Sequence, residues 1–147
     1  ALTKLGNRFA LSEYVKRINQ TQSVLVVYCD ITGLKRVNDL QGHEAGDMLI
    51  RNACECLRQV FKGYGLFRIG GDELLVICPD ITREVADKQV AKLRSTMKEH
   101  SVNVAVGKVW LEEMGNDLER SVIEAEKRMY EDKAEYYKTS GIERRKG

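Results

Sequence analysis

The sequence has no apolar run near the ~20 residues that a membrane-spanning helix needs, and its first ten residues lack the profile of a signal peptide. It also has no low-complexity segment and no internal repeat. We therefore expect a cytoplasmic domain that makes no membrane contact itself, although regions outside it would be able to anchor a longer parent protein.

A strong charge and paired cysteines are absent as well. The formal net charge is only +2, and the basic residues are spread among acidic ones, so nucleic-acid binding is not expected. The four cysteines form neither a CxxC pair nor a zinc-binding pattern with histidine, which predicts ordinary buried thiols. They are Cys29, Cys54, Cys56 and Cys78.

What is present is the composition of one globular domain. Of the 147 residues, 43% are hydrophobic and 31% are charged. A chain of this length buries roughly 68–70% of the surface that its unfolded form exposes. The first predicted helix follows almost directly on Ala1, so we expect residues 1–147 to be one domain excised from a larger protein.

Helical and strand patterns alternate along the chain in the order αβααββαβα. The predicted elements are a helix at 9–18, a strand at 23–31, a short helix ended by a glycine break, a long helix along 45–61, strands at 66–69 and 73–78, a helix at 85–97, a strand at 102–110 and a helix at 118–133. Strands joined by both a hairpin and helices indicate an α+β fold. Its mixed, mostly antiparallel sheet is flanked by helices and is close to a ferredoxin-like or palm arrangement.

Two predicted strand ends carry acidic residues. The strand at 23–31 is continuously apolar, which is typical of a central strand covered on both faces, and Asp30 lies at its end. Gly70 and Gly71 predict a two-residue hairpin turn with positive φ, and Asp72 and Glu73 follow it.

Three carboxylates converge if these two ends of the sheet coincide. Convergent carboxylates repel each other unless a cation lies among them, so Asp30, Asp72 and Glu73 would then predict a hard divalent ion such as Mg²⁺. The alternative is that the acids at the turn are simply solvated. The pattern alone leaves both open.

A resemblance supports the convergent arrangement. GGDEL at 70–74 resembles the signature of the GGDEF family of diguanylate cyclases, and four further motifs follow the family's order and spacing. These are LTKLGNR at 2–8, DITGLKRVNDLQGHEAGD at 30–47, AVG at 105–107 and AEKRMYEDK at 125–133. The resemblance covers nearly the whole chain.

The resemblance implies a polymerase-like palm that condenses two GTP into cyclic di-GMP with release of pyrophosphate. Two Mg²⁺ or Mn²⁺ ions would be held by Asp30, the Ile31 carbonyl and Asp72, while Glu73 would assist the metals or the attacking hydroxyl. Catalysis would need a homodimer, because each domain presents one GTP. An upstream sensory or regulatory domain is also implied.

The family's nucleotide-binding positions map onto the chain as well. Asn38 and Asp47 match the residues that read guanine, although without the family they would be interpreted as a helix-end Asn and an N-cap Asp. The backbone N–H groups of Gly33 and Leu34 would bind phosphates at a helix start, and Lys35 and Lys133 complete the implied substrate site.

The chain departs from the family pattern at several positions. Thr32 replaces the second Asp of DxD, Leu74 replaces Phe, and Tyr137 stands where an Arg is common; Lys138, Arg144 or Arg145 are candidate substitutes for that Arg. The inhibitory RxxD motif is replaced by a segment with Phe61 and Tyr64 at its two key positions. We therefore expect no tight binding of the product there.

Two alternatives remain beside an active cyclase. One is a non-catalytic receptor domain that binds GTP or cyclic di-GMP, which the intact Asp30, Asp72 and Glu73 disfavour. The other is a palm-type cyclase or polymerase that uses a different nucleotide, which the pair Asn38 and Asp47 disfavours.

Overall fold

The structure is a computed structural model that describes residues 5–140. Residues 2–4 of the first motif, together with Arg144 and Arg145, lie outside the described residues. The elements, in chain order, are α1 (Arg8–Lys16), β1 (Val24–Ile31), α2 (Leu34–Gln41), α3 (His43–Val60), β2 (Gly65–Arg68), β3 (Glu73–Pro79), α4 (Arg83–Glu99), β4 (Val104–Leu111) and α5 (Leu118–Ser140). The predicted order is confirmed.

The four strands form one sheet in the order β2-β3-β1-β4. All pairings between these strands are antiparallel, and one isolated parallel bridge joins Gly6 to Phe67. The predicted α+β fold with a mostly antiparallel, ferredoxin-like sheet is therefore confirmed. Strand β1 is central, and every one of its eight residues is buried, as its unbroken apolar pattern predicts.

Helices cover both faces of this sheet. Because side chains alternate along a strand, β1 sends Leu25, Val27 and Cys29 into a core with α3 and α4. It sends Val26 and Tyr28 into a second core with α1 and α5. All four cysteines are buried and free, so the predicted thiols are confirmed. Among the described residues, no helix combines the length and the apolar content that crossing a membrane requires.

The hairpin between β2 and β3 differs from the predicted two-residue turn. Strand β2 ends at Arg68 and β3 begins at Glu73, so the connection has four residues. Gly70 and Gly71 are not among the glycines with positive φ. Instead, the Arg68 guanidinium donates to the carbonyls of both glycines at 3.3 and 2.7 Å, and the Gly70 N–H donates to the Glu73 carbonyl at 3.4 Å. Side-chain hydrogen bonds therefore shape this loop.

Gly107 allows α5 to lie directly on the sheet. A Cβ atom at this position of β4 would overlap the carbonyl oxygen of Ala125 and the backbone nitrogen of Met129. Both belong to the helix backbone, which cannot swing aside as a flexible side chain can. The glycine of the AVG motif is thus required by the close approach of helix and strand.

We expect Gly107→Ala to lower the free energy of unfolding by about 1–3 kcal/mol, because the added methyl group forces α5 away from β4. Urea unfolding followed by circular dichroism measures the change. Gly71→Ala is the matched control, since no atom lies within 4 Å of the place that a Cβ would take there. That control should stay within about 0.5 kcal/mol of the wild type. Equal stability of the two variants would contradict the proposed close contact.

Candidate metal and nucleotide site

Three carboxylates converge at one edge of the sheet, as the family resemblance implied. Asp30 lies at the end of β1, directly opposite Glu73 in the β1–β3 register, and the Ile31 N–H donates to the Asp72 carbonyl at 2.8 Å. One ligand oxygen from each of Asp30, Asp72 and Glu73 lies within 4.8 Å of the others. The three acids are therefore brought together, while Asp72 and Glu73 at the turn are half-buried.

Asp30 is the buried member of this cluster, with 3% of its surface exposed. Its Oδ2 accepts from the Lys133 ammonium at 3.2 Å, whereas Oδ1 is buried without a hydrogen-bond partner. Burial and then the Asp72 carboxylate raise the pKa of Asp30 from 3.8 to about 6, and Lys133 opposes that increase. The metal-free arrangement thus disfavours the charged form of Asp30.

Lys133 reaches the acids from α5, 103 residues further along the chain. Burial lowers its pKa, but the Asp30 carboxylate, together with Tyr137 and Asp72, raises it more, so the pKa of Lys133 is raised overall. The ammonium therefore stays charged. A lysine that would be taken for a solvated surface residue is brought to the site because α5 packs against β4 and β1.

Helices α2 and α3 bring Asn38 beside the segment that contains Asp47. Gly42, with φ of 92°, breaks the chain between the two helices. The Asn38 side chain lies against Gly46, where a Cβ would overlap its Oδ1 atom. Asn38 and Asp47 are both half-buried.

The interpretation of Asp47 as an N-cap residue is wrong, whereas Asn38 does lie in the last turn of its helix. Asn38 lies inside α2, which ends at Gln41, and Asp47 lies one turn inside α3, whose N-cap is Gly42. Neither residue caps its helix. Both side chains therefore remain candidates for contacting a ligand.

The predicted phosphate-binding segment follows β1 directly. Gly33 is the N-cap of α2, with φ of 79°, and Leu34 is the first helical residue. The first N–H groups of a helix have no partner within it, so they are suited to anions. Lys35 is exposed in the first turn. Thr32, which replaces the second Asp of the family's DxD motif, is buried, and its hydroxyl has no hydrogen-bond partner.

The positions of the missing RxxD motif are filled by apolar packing. Phe61 is fully buried in the core between the sheet and α3, and Tyr64 packs against the same core. In this protein the two side chains pack against the core beneath the sheet. The absence of a tight product site remains a prediction.

Two functional candidates escaped the sequence analysis. The Tyr28 hydroxyl lies 3.0 Å from Glu73 Oε1 and 3.2 Å from Glu126 Oε2. Tyr28 precedes Asp30 by two residues, so both side chains face the same side of β1, and that spacing is the signal that could have identified it. Glu126 lies 98 residues away, and no local pattern links it to the site.

Comparison with known proteins places this chain in a family. The family described as "Diguanylate cyclase, GGDEF domain" matches residues 1–138. The chain is 31% identical over 106 residues to the probable diguanylate cyclase DgcE of Escherichia coli K12, which covers 68% of this chain and 10% of that protein. It is 37% identical over 83 residues to the diguanylate cyclase DgcS of Shewanella oneidensis, which covers 52% of this chain and 28% of that one.

A solved structure shares the fold. The GGDEF domain of DgcB from Caulobacter crescentus, crystallised with c-di-GMP, superposes with a TM-score of 0.80 at 22% identity. The match covers 91% of this chain and 88% of that domain. The chain spans between a fifth and a third of the length of several curated relatives that it matches. Because the family match extends over nearly all of its residues, the chain belongs to the GGDEF domain family.

Proposed function

We propose that this chain is a diguanylate cyclase domain that condenses two GTP into cyclic di-GMP and releases pyrophosphate. The observation that carries the proposal is the cluster of Asp30, Asp72 and Glu73, whose ligand oxygens lie within 4.8 Å of one another. Family membership and relatives named as diguanylate cyclases support the same activity. For any longer protein that contains this domain, its activity and its partners are likewise proposals.

The residues fit Mg²⁺ or Mn²⁺. Asp30 Oδ1 is buried without a partner, a costly state that a cation would relieve. Carboxylate and carbonyl oxygens are the ligands that these hard ions prefer, so Asp30, Asp72 and the Ile31 carbonyl would hold two of them. When bound, such ions polarise the α-phosphate and stabilise the leaving pyrophosphate.

The chain's own residues orient the two reactants. The Lys133 ammonium, 3.2 Å from Asp30, would neutralise a triphosphate placed beside the carboxylates. The N–H groups of Gly33 and Leu34, with Lys35, would bind the terminal phosphates. Glu73 would accept the proton of the attacking 3′-hydroxyl or orient that hydroxyl.

Asn38 and Asp47 would select guanine. A carboxylate can accept from both the N1–H and the exocyclic amine of guanine, a pair of donors that adenine does not present. Asn38 and Asp47 lie on α2 and α3, whereas the acids lie at strand ends, so different elements would supply base recognition and the acidic cluster. Because each domain would present one GTP, a second copy of the chain completes the reaction, and an upstream sensory domain would control that pairing.

We expect concentrated protein with GTP and Mg²⁺ to form cyclic di-GMP, and Asp72→Asn to lower the rate at least about 100-fold, because it removes a metal-binding charge. Chromatography of the nucleotides measures the product. Asp80→Asn is the matched control: Asp72 immediately precedes β3, Asp80 immediately follows it, and Asp80 is exposed. It should retain the wild-type rate.

The same experiment separates the alternatives. Bound GTP without turnover at any protein concentration would refute the enzyme and favour a receptor domain. Turnover of ATP to a cyclic product would refute the assignment of Asn38 and Asp47.

We expect Asp47→Asn to raise the KM for GTP about 10- to 100-fold, because a hydrogen bond to a charged group contributes about 1.5–3 kcal/mol. The kcat should change less. Asp39→Asn is the control, since Asp39 is an exposed acid on α2 beside Asn38. Steady-state kinetics with GTP and ATP provide the measurement, and an unchanged GTP preference in Asp47→Asn would exclude Asp47 from base recognition.

The raised pKa of Asp30 predicts how stability depends on pH. With a pKa of about 6 when folded and 3.8 as the reference, the folded state binds more protons between these values. The metal-free protein should therefore lose stability as pH rises from about 4 to 6, and its melting temperature should stay several degrees lower above pH 6.

Thermal unfolding in a chelator at pH 5 and pH 7.5 tests this expectation. Asp30→Asn should show a smaller difference between the two pH values, because its side chain does not ionise. Mg²⁺ at pH 7.5 should stabilise the wild type and have little effect on Asp30→Asn. The same pH dependence in both proteins would argue that Asp30 does not cause it.

A further inference from the structure

Tyr28 brings a hydroxyl group from the core to the acidic edge of the sheet. Its ring is 4% exposed and packs in the core that includes Leu75, Ala125 and Met129. Since Tyr28 and Asp30 are two residues apart on β1, they face the same side of the sheet. The ring is therefore fixed by packing, and the hydroxyl has a defined position.

That hydroxyl lies between two carboxylates, at 3.0 Å from Glu73 Oε1 and 3.2 Å from Glu126 Oε2. A phenol has one hydrogen, so it donates to one of these acceptors at a time. A phenol keeps its proton throughout the physiological range, so this group is a donor there. Glu73 thus always has a donor within reach of Oε1.

The hairpin loop leaves room for the Glu73 side chain in this position. A Cβ at Gly70 would lie 3.2 Å from Glu73 Oε1 and 3.4 Å from Glu73 Cβ, so the side chain occupies the space that the glycine leaves open. Glu73 is the most flexible of the three clustered acids, because its side chain has one more rotatable bond than that of Asp. Like charges on Asp30 and Asp72 would otherwise drive it to other rotamers.

We propose that Tyr28 is a positioning residue for Glu73, holding Oε1 by a hydrogen bond and thereby keeping this oxygen away from the metal ions. Oε2 is then the oxygen of Glu73 that remains free of Tyr28 and able to act on the attacking hydroxyl. The catalytic consequence of this inference rests on the proposed function. The hydrogen bond from Tyr28 to Glu73 Oε1, called the tether below, is a property of the metal-free protein. Glu126 competes for the same proton and so limits how tightly Glu73 is held.

The test is Tyr28→Phe, which keeps the ring in the core and removes only the hydroxyl. With Oε1 released, Glu73 becomes an additional ligand, so the affinity for Mn²⁺ measured by calorimetry should rise about threefold or more, since ligand charge sets the affinity of such sites. The kcat with GTP should fall about tenfold, with the KM changed less than about twofold, because the carboxylate loses its orientation.

Glu73→Gln provides the second half of a double-mutant cycle. If Tyr28 acts through Glu73, adding Tyr28→Phe to Glu73→Gln should change the Mn²⁺ affinity by less than about twofold. Tyr14→Phe is the matched control: it removes a phenol hydroxyl from the same side of the sheet, where the Tyr14 ring packs edge-to-face on Phe67 at 5.6 Å. It should leave Mn²⁺ affinity and turnover unchanged.

The outcomes separate the tether from the enzyme. Equal Mn²⁺ affinity in the wild type and Tyr28→Phe, or an equal effect of Tyr28→Phe with and without Glu73, overturns the tether whatever the turnover. A wild type that does not turn over GTP, but whose Mn²⁺ affinity responds to Tyr28→Phe only in the presence of Glu73, refutes the proposed function and supports the tether.

Discussion

Backbone pairing between β1 and β3 forces like-charged side chains together, and the rest of the site depends on this constraint. The register sets Asp30 opposite Glu73, and the hydrogen bond from Ile31 to the Asp72 carbonyl holds the hairpin against the end of β1. Burial of Asp30 and then repulsion from Asp72 oppose the arrangement, and both raise the pKa of Asp30. The apolar burial of the two strands offsets that cost, since β1 is buried along its whole length.

Helix α5 completes the site from the opposite direction. Its backbone packs closely against Gly107. This packing places Glu126 beside Tyr28 and Lys133 beside Asp30, on one face of the sheet. One helix thus supplies both an acid that shares a proton with Tyr28 and a cation that partly compensates Asp30. The acidic edge is therefore an electrostatic network built from three distant parts of the chain.

The elements were predictable because their local patterns are strong, whereas several contacts of the site were not. The continuous apolar run of β1 and the helical spacing of α3 identify these elements directly. The loop at Gly70 differs from the predicted turn because the Arg68 side chain bonds its carbonyls. The contact between Tyr28 and Glu126 depends on how α5 crosses the sheet, which no local pattern encodes. The convergence of the acids followed from family resemblance and strand ends together.

The placement of the acids on β1 and β3 has a consequence for motion within the domain. Segments in the middle of a sheet exchange their amide hydrogens only when the whole domain unfolds, whereas peripheral helices open at lower free energy. Asp30 lies at the end of the buried central strand, so it keeps its position as long as the domain stays folded. Helix α2, which has no buried residue and adjoins a glycine break, can open alone. Fluctuations of the native protein would thus release Asn38, the residue proposed to read the base, while the acidic edge stays assembled.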